Sequence, residues 1–258
     1  MPGVAPRAPD PDRSGPMKLL APLLVLPALA CAGPGGHAHA DLDAVTIHPI
    51  EHATLALTTA DTTVYVDPVG GAERFAGLPA PDLILVTDVH GDHMDPETLA
   101  ALGGADALVL APRAVVDELG YGEVLGYGDT WTQVGTEGVF TVTGVAAYNL
   151  TEERLRYHPK GRGNGFVLLL GGLRVYLSGD TEDVPEMRAL EGIDLALVCM
   201  NLPYTMTVDQ AADGVLAFAP RVVVPYHHRG SDLDRFEQLV AAGNPGIEVR
   251  RLDWYPGD

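Results

Sequence analysis

The sequence predicts an α+β fold, a four-layer αβ/βα sandwich in which two sheets pack face to face and helices cover their outer surfaces. From residue 44 the chain divides into two similar halves, each with strand patterns first and alternating strands and helices afterwards. Residues 41–258 also contain no Pro- or Ser-rich spacer. Because every sheet must bury an apolar face, we expect the sheets of the two halves to pack against each other.

The first half opens with a predicted β-meander and continues with a strand that is apolar almost throughout. Strands are predicted at residues 44–50, 55–59, 63–67 and 82–87. The last run is apolar enough to be buried on both faces of a sheet. Pro96 and Pro112 suit the first turns of helices that end near Leu102 and Leu119.

The second half repeats this order. Strands are predicted at residues 139–148, 165–170, 174–177, 195–198, 222–224 and 247–251, and helices at residues 184–190, 208–218 and 233–242. Thr207 is predicted to cap the helix that begins at residue 208. Helices between strands of the second half are expected on the outer face of its sheet.

Residues 1–40 are interpreted as an N-terminal extension and signal peptide, followed by a single folded domain at residues 41–258. The apolar run Leu19–Ala30 is too short to span a bilayer as an ordinary helix but suits a signal-peptide core. Small residues before Asp41 favour cleavage there, and a lipid anchor at Cys31 is the alternative. We therefore expect an exported protein, either secreted, periplasmic or anchored to the envelope.

Composition limits the classes of function. A hydrophobic content of 47% with 20% charged residues is ordinary for a folded globular chain. The formal net charge of −19 repels polyanions, so a nucleic acid is disfavoured and a small-molecule substrate is expected. Cys31 and Cys199 are the two cysteines of the sequence, and no disulfide within the domain is expected.

A dense group of metal-ligand residue types follows the buried strand at residues 82–87. Asp88, His90, Asp92 and His93 lie within six residues, where a rigid strand can position loop side chains around one point. Imidazole and carboxylate together suit Zn²⁺, with Mn²⁺ and Fe²⁺ as alternatives. The segment therefore predicts a metal site of one or two ions.

This segment resembles the HxHxDH signature of the metallo-β-lactamase superfamily, with Asp88 in place of the first histidine. Three other landmarks occur in the order typical of its lactonase-like branch. They are His52 with the later Asp67-Pro68 pair, the Gly179-Asp180-Thr181 motif, and the histidine pair His227-His228 at a strand end. The resemblance implies the metallo-β-lactamase fold and a metal-dependent hydrolase.

Carried over by position, the resemblance implies a ligand set with two departures. His90 would bind a first ion, Asp92, His93 and His227 a second, and Asp180 both. Asp88 introduces a carboxylate at the first position, and Asn149 stands where the family supplies a histidine. His158 is the candidate replacement ligand, with a substrate-binding or ordinary loop role as alternatives. The departures leave open a centre with one tightly held ion and a labile second ion.

The reaction that the resemblance implies is attack of a metal-activated water on an ester, lactone, amide or phosphoester. Asp92 is the candidate catalytic residue that orients the water and takes its proton. His52 and Asp67 are expected to support the ligands from behind. Lys160, Arg162 and Tyr204 are candidates for substrate binding.

Two other functions remain open. A phosphodiesterase or phospholipase-like hydrolase would use Lys160 and Arg162 as its anion site. A catalytically silent metal-binding envelope protein would keep the fold without the chemistry.

Overall fold

The computed structural model describes residues 41–103, 108–135 and 138–255. The predicted signal segment and Cys31 lie outside these ranges, so export and the lipid anchor stay predictions. Among the helices of the described ranges, none is long and apolar enough to cross a membrane.

The first sheet contains six strands within the described residues, and they lie side by side in chain order. These strands are β1 (Thr46–Glu51), β2 (Thr54–Thr58), β3 (Thr63–Val66), β4 (Leu83–Leu85), β5 (Val109–Ala111) and β6 (Glu123–Val124). The first three form an antiparallel meander, and β3 to β6 are parallel. The helices α1 (Pro96–Ala101) and α2 (Arg113–Leu119) provide crossovers between parallel strands.

The second sheet repeats this plan with seven strands in the described ranges. The strands are β7 (Thr130–Gly135), β8 (Gly138–Ala147), β9 (Gly163–Leu170), β10 (Leu173–Leu177), β11 (Leu195–Cys199), β12 (Val222–Tyr226) and β13 (Glu248–Val249). Strands β7 to β10 are antiparallel and β10 to β13 are parallel. The helices α3 (Pro185–Arg188), α4 (Val208–Phe218) and α5 (Leu233–Gly243) connect the parallel part. Thr207 caps α4 as predicted, because its side chain accepts a hydrogen bond from the Gln210 N–H.

Two clusters of buried apolar side chains correspond to the layers of the sandwich. Leu55 of β2 and Phe166 of β9 belong to one cluster, which joins the two sheets. Ala56, the next residue of β2, belongs to a second cluster with Leu99 of α1 and Val115 of α2. Successive strand residues therefore face opposite layers. The predicted four-layer αβ/βα sandwich is confirmed.

The sequence prediction missed three strands, β5, β6 and β7. The first two have only three and two residues, which is too short for a period to be recognised. Strand β7 is mostly polar because it lies at an edge of the second sheet. Strand β12 also continues through Pro225 beyond its predicted end. This proline is tolerated because β13 pairs only with Val222 and Val223, so one side of β12 is unpaired at residue 225.

A close backbone contact connects β9 with the turn that follows β10. A Cβ atom at Gly165 would lie 2.6 Å from the carbonyl oxygens of Leu177 and Ser178. A Cβ atom at Gly179 would lie 2.6 Å from the Asn164 carbonyl oxygen, and its φ is +59°. Glycine is required at both positions because any larger residue would push the two segments apart. The contact fixes the turn that carries Asp180.

We expect Gly165→Ala to lower the free energy of unfolding by about 1–3 kcal/mol, since the added methyl group meets backbone atoms that cannot rotate away. Urea denaturation followed by circular dichroism measures this change. Gly91→Ala is the matched control, because nothing lies within 4 Å of a Cβ atom there. Equal stability of both variants would contradict the close contact.

Candidate metal centre

The predicted ligands converge at one end of the sandwich, in the loops that follow strands. Residues 88–93 follow β4, Asp180 follows β10 and His227 follows β12, while His158 lies in the loop between β8 and β9. Side chains that could hold a metal ion form three groups whose donor atoms all lie within 4.8 Å of one another in each group. The groups are His93–Asp180–His227, His52–Asp92–His227 and Asp88–His90–His158. All seven predicted ligands belong to them.

The His93–Asp180–His227 group has the spacing of a metal site. His93 Nε2 lies 3.4 Å from Asp180 Oδ2, and His227 Nε2 lies 3.4 Å from Asp180 Oδ1. Asp92 Oδ2 lies 3.5 Å from His227 Nε2. Two donors at zinc–ligand distances in a tetrahedral site are about 3.3 Å apart. The four side chains are therefore arranged as ligands of one small cation.

Buried polar atoms without hydrogen-bond partners also indicate a metal site in this group. His93 Nε2, His227 Nε2 and Asp180 Oδ1 are buried, and within the described part of the chain none of them has a hydrogen-bond partner. Buried polar atoms are nearly always satisfied, and an unsatisfied one costs about 1–3 kcal/mol. A divalent cation satisfies two imidazole nitrogens and a carboxylate oxygen at once, so these residues fit a metal ion.

The charges around the group also favour a cation. Burial by itself would raise the pKa of Asp180, but the imidazoles of His227 and His93 outweigh it and hold that pKa well below its usual range. Burial would lower the pKa of His93, yet Asp180 and Asp67 raise it well above the ordinary value. Both shifts have one cause, which is that buried carboxylates stabilise positive charge beside them.

Asp67 lies behind His93 and contacts its Nδ1. Its Oδ2 lies 2.8 Å from His93 Nδ1, and it also accepts hydrogen bonds from the Thr87 N–H and hydroxyl at 2.7 and 2.6 Å. Because a carboxylate accepts, His93 Nδ1 carries a proton, which leaves Nε2 as the nitrogen that would bind a metal ion. Asp67 is wholly buried, so this orientation is rigid.

His52 supports His227 on the other side. The two rings stack with centroids 3.7 Å apart, and the His52 carbonyl accepts a hydrogen bond from the His227 N–H. His52 Nδ1 lies 2.7 Å from the Tyr255 hydroxyl. Burial, helped by the neighbouring charge of His227, lowers the pKa of His52 to about 3, so its ring is neutral. A neutral ring can pack on a ligand histidine without repelling a cation.

Three residues at the centre have left-handed backbone conformations, which are rare for residues other than glycine. The φ angles are 54° at His52, 46° at Asp67 and 47° at His227. Such conformations cost free energy and persist where the surrounding structure requires them. At His227 the turn directs this ring into the group, while the ring of His228 packs edge-on against Tyr255 at 5.1 Å.

The third group differs from the first because an arginine side chain lies within it. Arg162 Nε and Nη2 donate to Asp88 Oδ1 and Oδ2 at 2.9 and 2.8 Å, and Nη2 lies 3.1 Å from His90 Nε2. His158 Nε2 lies 3.3 Å from His90 Nδ1 and 3.1 Å from Asp180 Oδ2. His158 therefore borders both groups, and Arg162 contacts predicted ligands.

The Asn149 side chain lies beside the His158 ring, with its amide nitrogen 3.3 Å from Nδ1. Its side-chain N–H groups donate to the carbonyls of Arg154 and Tyr204, and its backbone N–H donates to the His158 carbonyl. Asn149 thus holds the loop that carries His158.

Two predicted substrate-binding residues, Lys160 and Tyr204, are not members of the donor groups. Lys160 donates to the Glu186 carboxylate at 2.9 Å and to the Tyr148 hydroxyl at 3.0 Å, and it belongs to none of the three groups. Tyr204 is 45% exposed and packs its ring edge-on against Tyr157. Tyr204 therefore lies at the rim of the centre, and Lys160 is engaged elsewhere.

Sequence reasoning missed a buried ion pair that holds the His158 loop. Glu182 Oε1 lies 2.9 Å from Arg154 Nη1. Glu182 Oε2 accepts hydrogen bonds from the N–H groups of Leu150 and Thr151, both at 2.9 Å. Glu182 comes directly after the Gly179-Asp180-Thr181 motif, and a charged residue next to a buried motif was the available signal. It joins the turn of Asp180 to the loop of His158.

Comparison with known proteins agrees with this geometry. A family model described as a beta-lactamase superfamily domain matches residues 46–227. The chain belongs to this superfamily. The match spans β1 to the residue after β12 and includes every predicted metal ligand. The resemblance to the metallo-β-lactamase superfamily is therefore confirmed.

Relatives within the superfamily are metal-dependent hydrolases by name. A UPF0173 metal-dependent hydrolase of Thermus thermophilus is 30% identical over 229 residues, covering 81% of this chain and 100% of the relative. One of Pyrococcus abyssi is 33% identical over 171 residues, covering 62% of this chain and 74% of the relative. The predicted enzyme class, a metallo-hydrolase of the metallo-β-lactamase superfamily, is confirmed at this level.

Two solved structures are similar to the chain. A protein of Parabacteroides distasonis assigned as a metal-dependent hydrolase has a TM-score of 0.73 at 38% identity, over 82% of this chain and 94% of its own. Igni18, a metallo hydrolase of Ignicoccus hospitalis, has a TM-score of 0.68 at 22% identity, over 83% and 96%. The second likeness concerns the fold alone.

We expect Asp67→Asn to weaken metal binding about 10- to 100-fold, because the carboxylate that orients His93 is replaced by a weaker acceptor. Asparagine tolerates the left-handed backbone at this position, so the change is confined to the hydrogen bonds. Competition with a fluorescent zinc chelator measures the affinity. Asp82→Asn, which changes the hydrogen bond to the Thr63 N–H, is the control, and an affinity equal to that of the control would exclude the orienting role.

We expect Glu182→Gln to lower the free energy of unfolding by about 3 kcal/mol or more, because Arg154 loses its buried partner. Urea denaturation measures the loss. Glu186→Gln, which breaks the ion pair with Lys160 on the surface, should change stability by about 1 kcal/mol or less. A loss no larger than that of Glu186→Gln would show that the buried pair does not hold the loop.

Proposed function

We propose that the chain hydrolyses a neutral ester or lactone of a small organic molecule with one divalent ion held by Asp92, His93, Asp180 and His227. The observation that carries this proposal is the set of buried, unpartnered donor atoms on His93, Asp180 and His227. A divalent ion bound by this set would lower the pKa of a water molecule and polarise the carbonyl oxygen of the substrate. Two imidazoles with carboxylates favour Zn²⁺, and Mn²⁺ and Fe²⁺ are alternatives.

Asp92 is the member of this ligand set that faces solvent. Its side chain is 49% exposed, whereas that of Asp180 is 4% exposed. Burial would raise the pKa of Asp92, but the His227 imidazole 3.5 Å away and the charge of His93 lower it overall. A carboxylate of low pKa stays ionised and can accept a hydrogen bond from a water molecule, but it is a weak proton acceptor. Asp92 would therefore orient the attacking water more effectively than it would retain its proton.

Pairing of the nearby cations favours a neutral substrate over a phosphodiester. Lys160 pairs with Glu186, and Arg162 pairs with Asp88, at 2.9 and 2.8 Å. Neither side chain is then available as a simple anion site without giving up its carboxylate. The net charge of −19 would also oppose the approach of an anion. A phosphodiesterase or phospholipase-like activity is the second candidate, and it would require these pairs to open.

Exposed apolar side chains surround the loop that carries His158. Leu155, Leu202 and Tyr204 are 43%, 53% and 45% exposed. A hydrogen bond from the Asn149 side chain to the Tyr204 carbonyl joins the two loops at this rim. Exposed apolar groups beside a polar centre are typical of surfaces that bind an apolar part of a ligand. We expect a substrate whose ester or lactone is attached to an apolar group.

One other cavity does not belong to this centre. A groove of about 400 Å³ is bordered by Asp43, residues 45–47, Arg250 and Leu252. It contains none of the donor residues, so the proposal does not depend on it.

The experiment is a hydrolysis panel of neutral esters, lactones, phosphodiesters and β-lactams, measured before and after metal removal by a chelator. We expect turnover of esters or lactones that is lost with the metal and restored by zinc. Asp92→Asn should lower kcat about 10²-fold or more, because it removes the carboxylate that orients the attacking water. Asp209→Asn, which removes the charge from an exposed ion pair with Arg235, is the control and should leave kcat unchanged.

Three outcomes would overturn parts of the proposal. Turnover that survives complete metal removal would exclude a metal-dependent reaction. A preference for phosphodiesters would favour the second candidate. Tight metal binding without turnover on any substrate would support a catalytically silent metal-binding protein.

A further inference from the structure

The Asp88–His90–His158 group already contains a cation. The guanidinium of Arg162 meets Asp88 in a bidentate pair, with Nε and Nη2 on the two carboxylate oxygens at 2.9 and 2.8 Å. The Asp88 side chain is 3% exposed and also accepts a hydrogen bond from the Val89 N–H at 2.6 Å. Both of its oxygens are therefore engaged, in contrast to Asp180, which has a buried unpartnered oxygen.

The imidazole nitrogens of this group have hydrogen-bond roles that leave no free lone pair on His90. Guanidinium groups only donate, so His90 Nε2, 3.1 Å from Arg162 Nη2, accepts. A neutral His90 then carries its proton on Nδ1, which faces His158 Nε2 at 3.3 Å. His158 Nδ1 lies 3.1 Å from the Tyr204 carbonyl oxygen and 3.3 Å from the Asn149 amide nitrogen, and its Nε2 also lies 3.1 Å from Asp180 Oδ2. Both nitrogens of His90 therefore have a protein partner without a metal ion.

The charges around Asp88 and His90 also argue against a metal ion there. Three aspartates belong to the donor groups, namely Asp88, Asp92 and Asp180, while Asp67 lies behind His93 and pairs with its Nδ1. Arg162 balances Asp88, and one divalent ion balances the other two carboxylates. A second divalent ion on Asp88 and His90 would lie within a few ångströms of the guanidinium, where like charges in a partly buried site repel strongly.

We infer that Arg162 takes the place of a second metal ion, so that this hydrolase holds a single divalent ion on the His93–Asp180–His227 side. The inference rests on the proposed function for the identity of the metal-bearing group. Arg162 acts here as a positioning residue, since it holds Asp88 and His90 and excludes an ion from them. The substitution of Asp88 for a histidine and the presence of Arg162 are then two parts of one arrangement.

The test is the metal content of the purified chain after incubation with excess zinc chloride and desalting, measured by elemental analysis. We expect about one equivalent of zinc in the unaltered chain and about two in the Asp88→His/Arg162→Ala double variant, in which a third imidazole replaces the ion pair. Arg162→Lys keeps a positive charge and should remain near one equivalent. Lys160→Ala removes a nearby exposed cation and is the matched control, also expected near one.

Circular dichroism and thermal unfolding establish that each variant is folded before its metal is counted, and Arg162→Lys keeps the test decisive if the double variant does not fold. Two equivalents in the unaltered chain, or a gain of metal in Lys160→Ala equal to that in the double variant, would overturn the inference. A folded double variant that stays at one equivalent would also overturn it. Metal counts do not depend on turnover, so one equivalent without hydrolysis would contradict only the proposed function, and two equivalents with hydrolysis only the inference.

Discussion

The buried carboxylate of Asp180 is the constraint on which the rest of the centre depends. An ionised carboxylate removed from water is costly unless cations or hydrogen-bond donors surround it. Asp180 is 5% exposed, and His93, His158 and His227 surround it. A divalent ion would complete this environment, so metal binding and stability of the centre are expected to be coupled.

The scaffold meets this constraint by bringing strand ends together. Parallel strands in both sheets end at the same side, which places the loop after β4 opposite the turns after β10 and β12. The backbone contact between Gly165 and the end of β10 fixes the position of the turn that carries Asp180. The ion pair of Glu182 with Arg154 then fixes the loop that carries His158. Precision at the centre thus comes from packed glycine contacts and buried charge pairs as well as from the ligands themselves.

The two sides of the centre satisfy their negative charge differently. On the His93–Asp180–His227 side, buried imidazole and carboxylate atoms have no hydrogen-bond partner among the described residues, and a small cation would satisfy them. On the other, Arg162 reaches Asp88 from 74 residues along the chain and neutralises it through two hydrogen bonds. The guanidinium of Arg162 is covalently part of the chain, so its positive charge stays beside Asp88 whether or not metal ions are present. The number of metal ions at the centre therefore depends on the nearby cationic side chains as well as on the ligand side chains.

The fold class, most long elements and the identity of the donor residues followed from local patterns, because hydrophobic period, helix caps and the spacing of Asp88 to His93 are encoded over a few adjacent residues. Strands β5, β6 and β7 were not predicted because short strands and polar edge strands show no clear alternation of apolar and polar residues. The partners of Asp88 and Asp180 could not be read in this way. Arg162, Glu182 and His158 reach the centre from loops whose approach depends on how two sheets pack, and electrostatic pairing depends on distance in space. Only the tertiary structure could decide that Arg162 is engaged by a ligand residue while Lys160, two positions earlier, pairs with Glu186 instead.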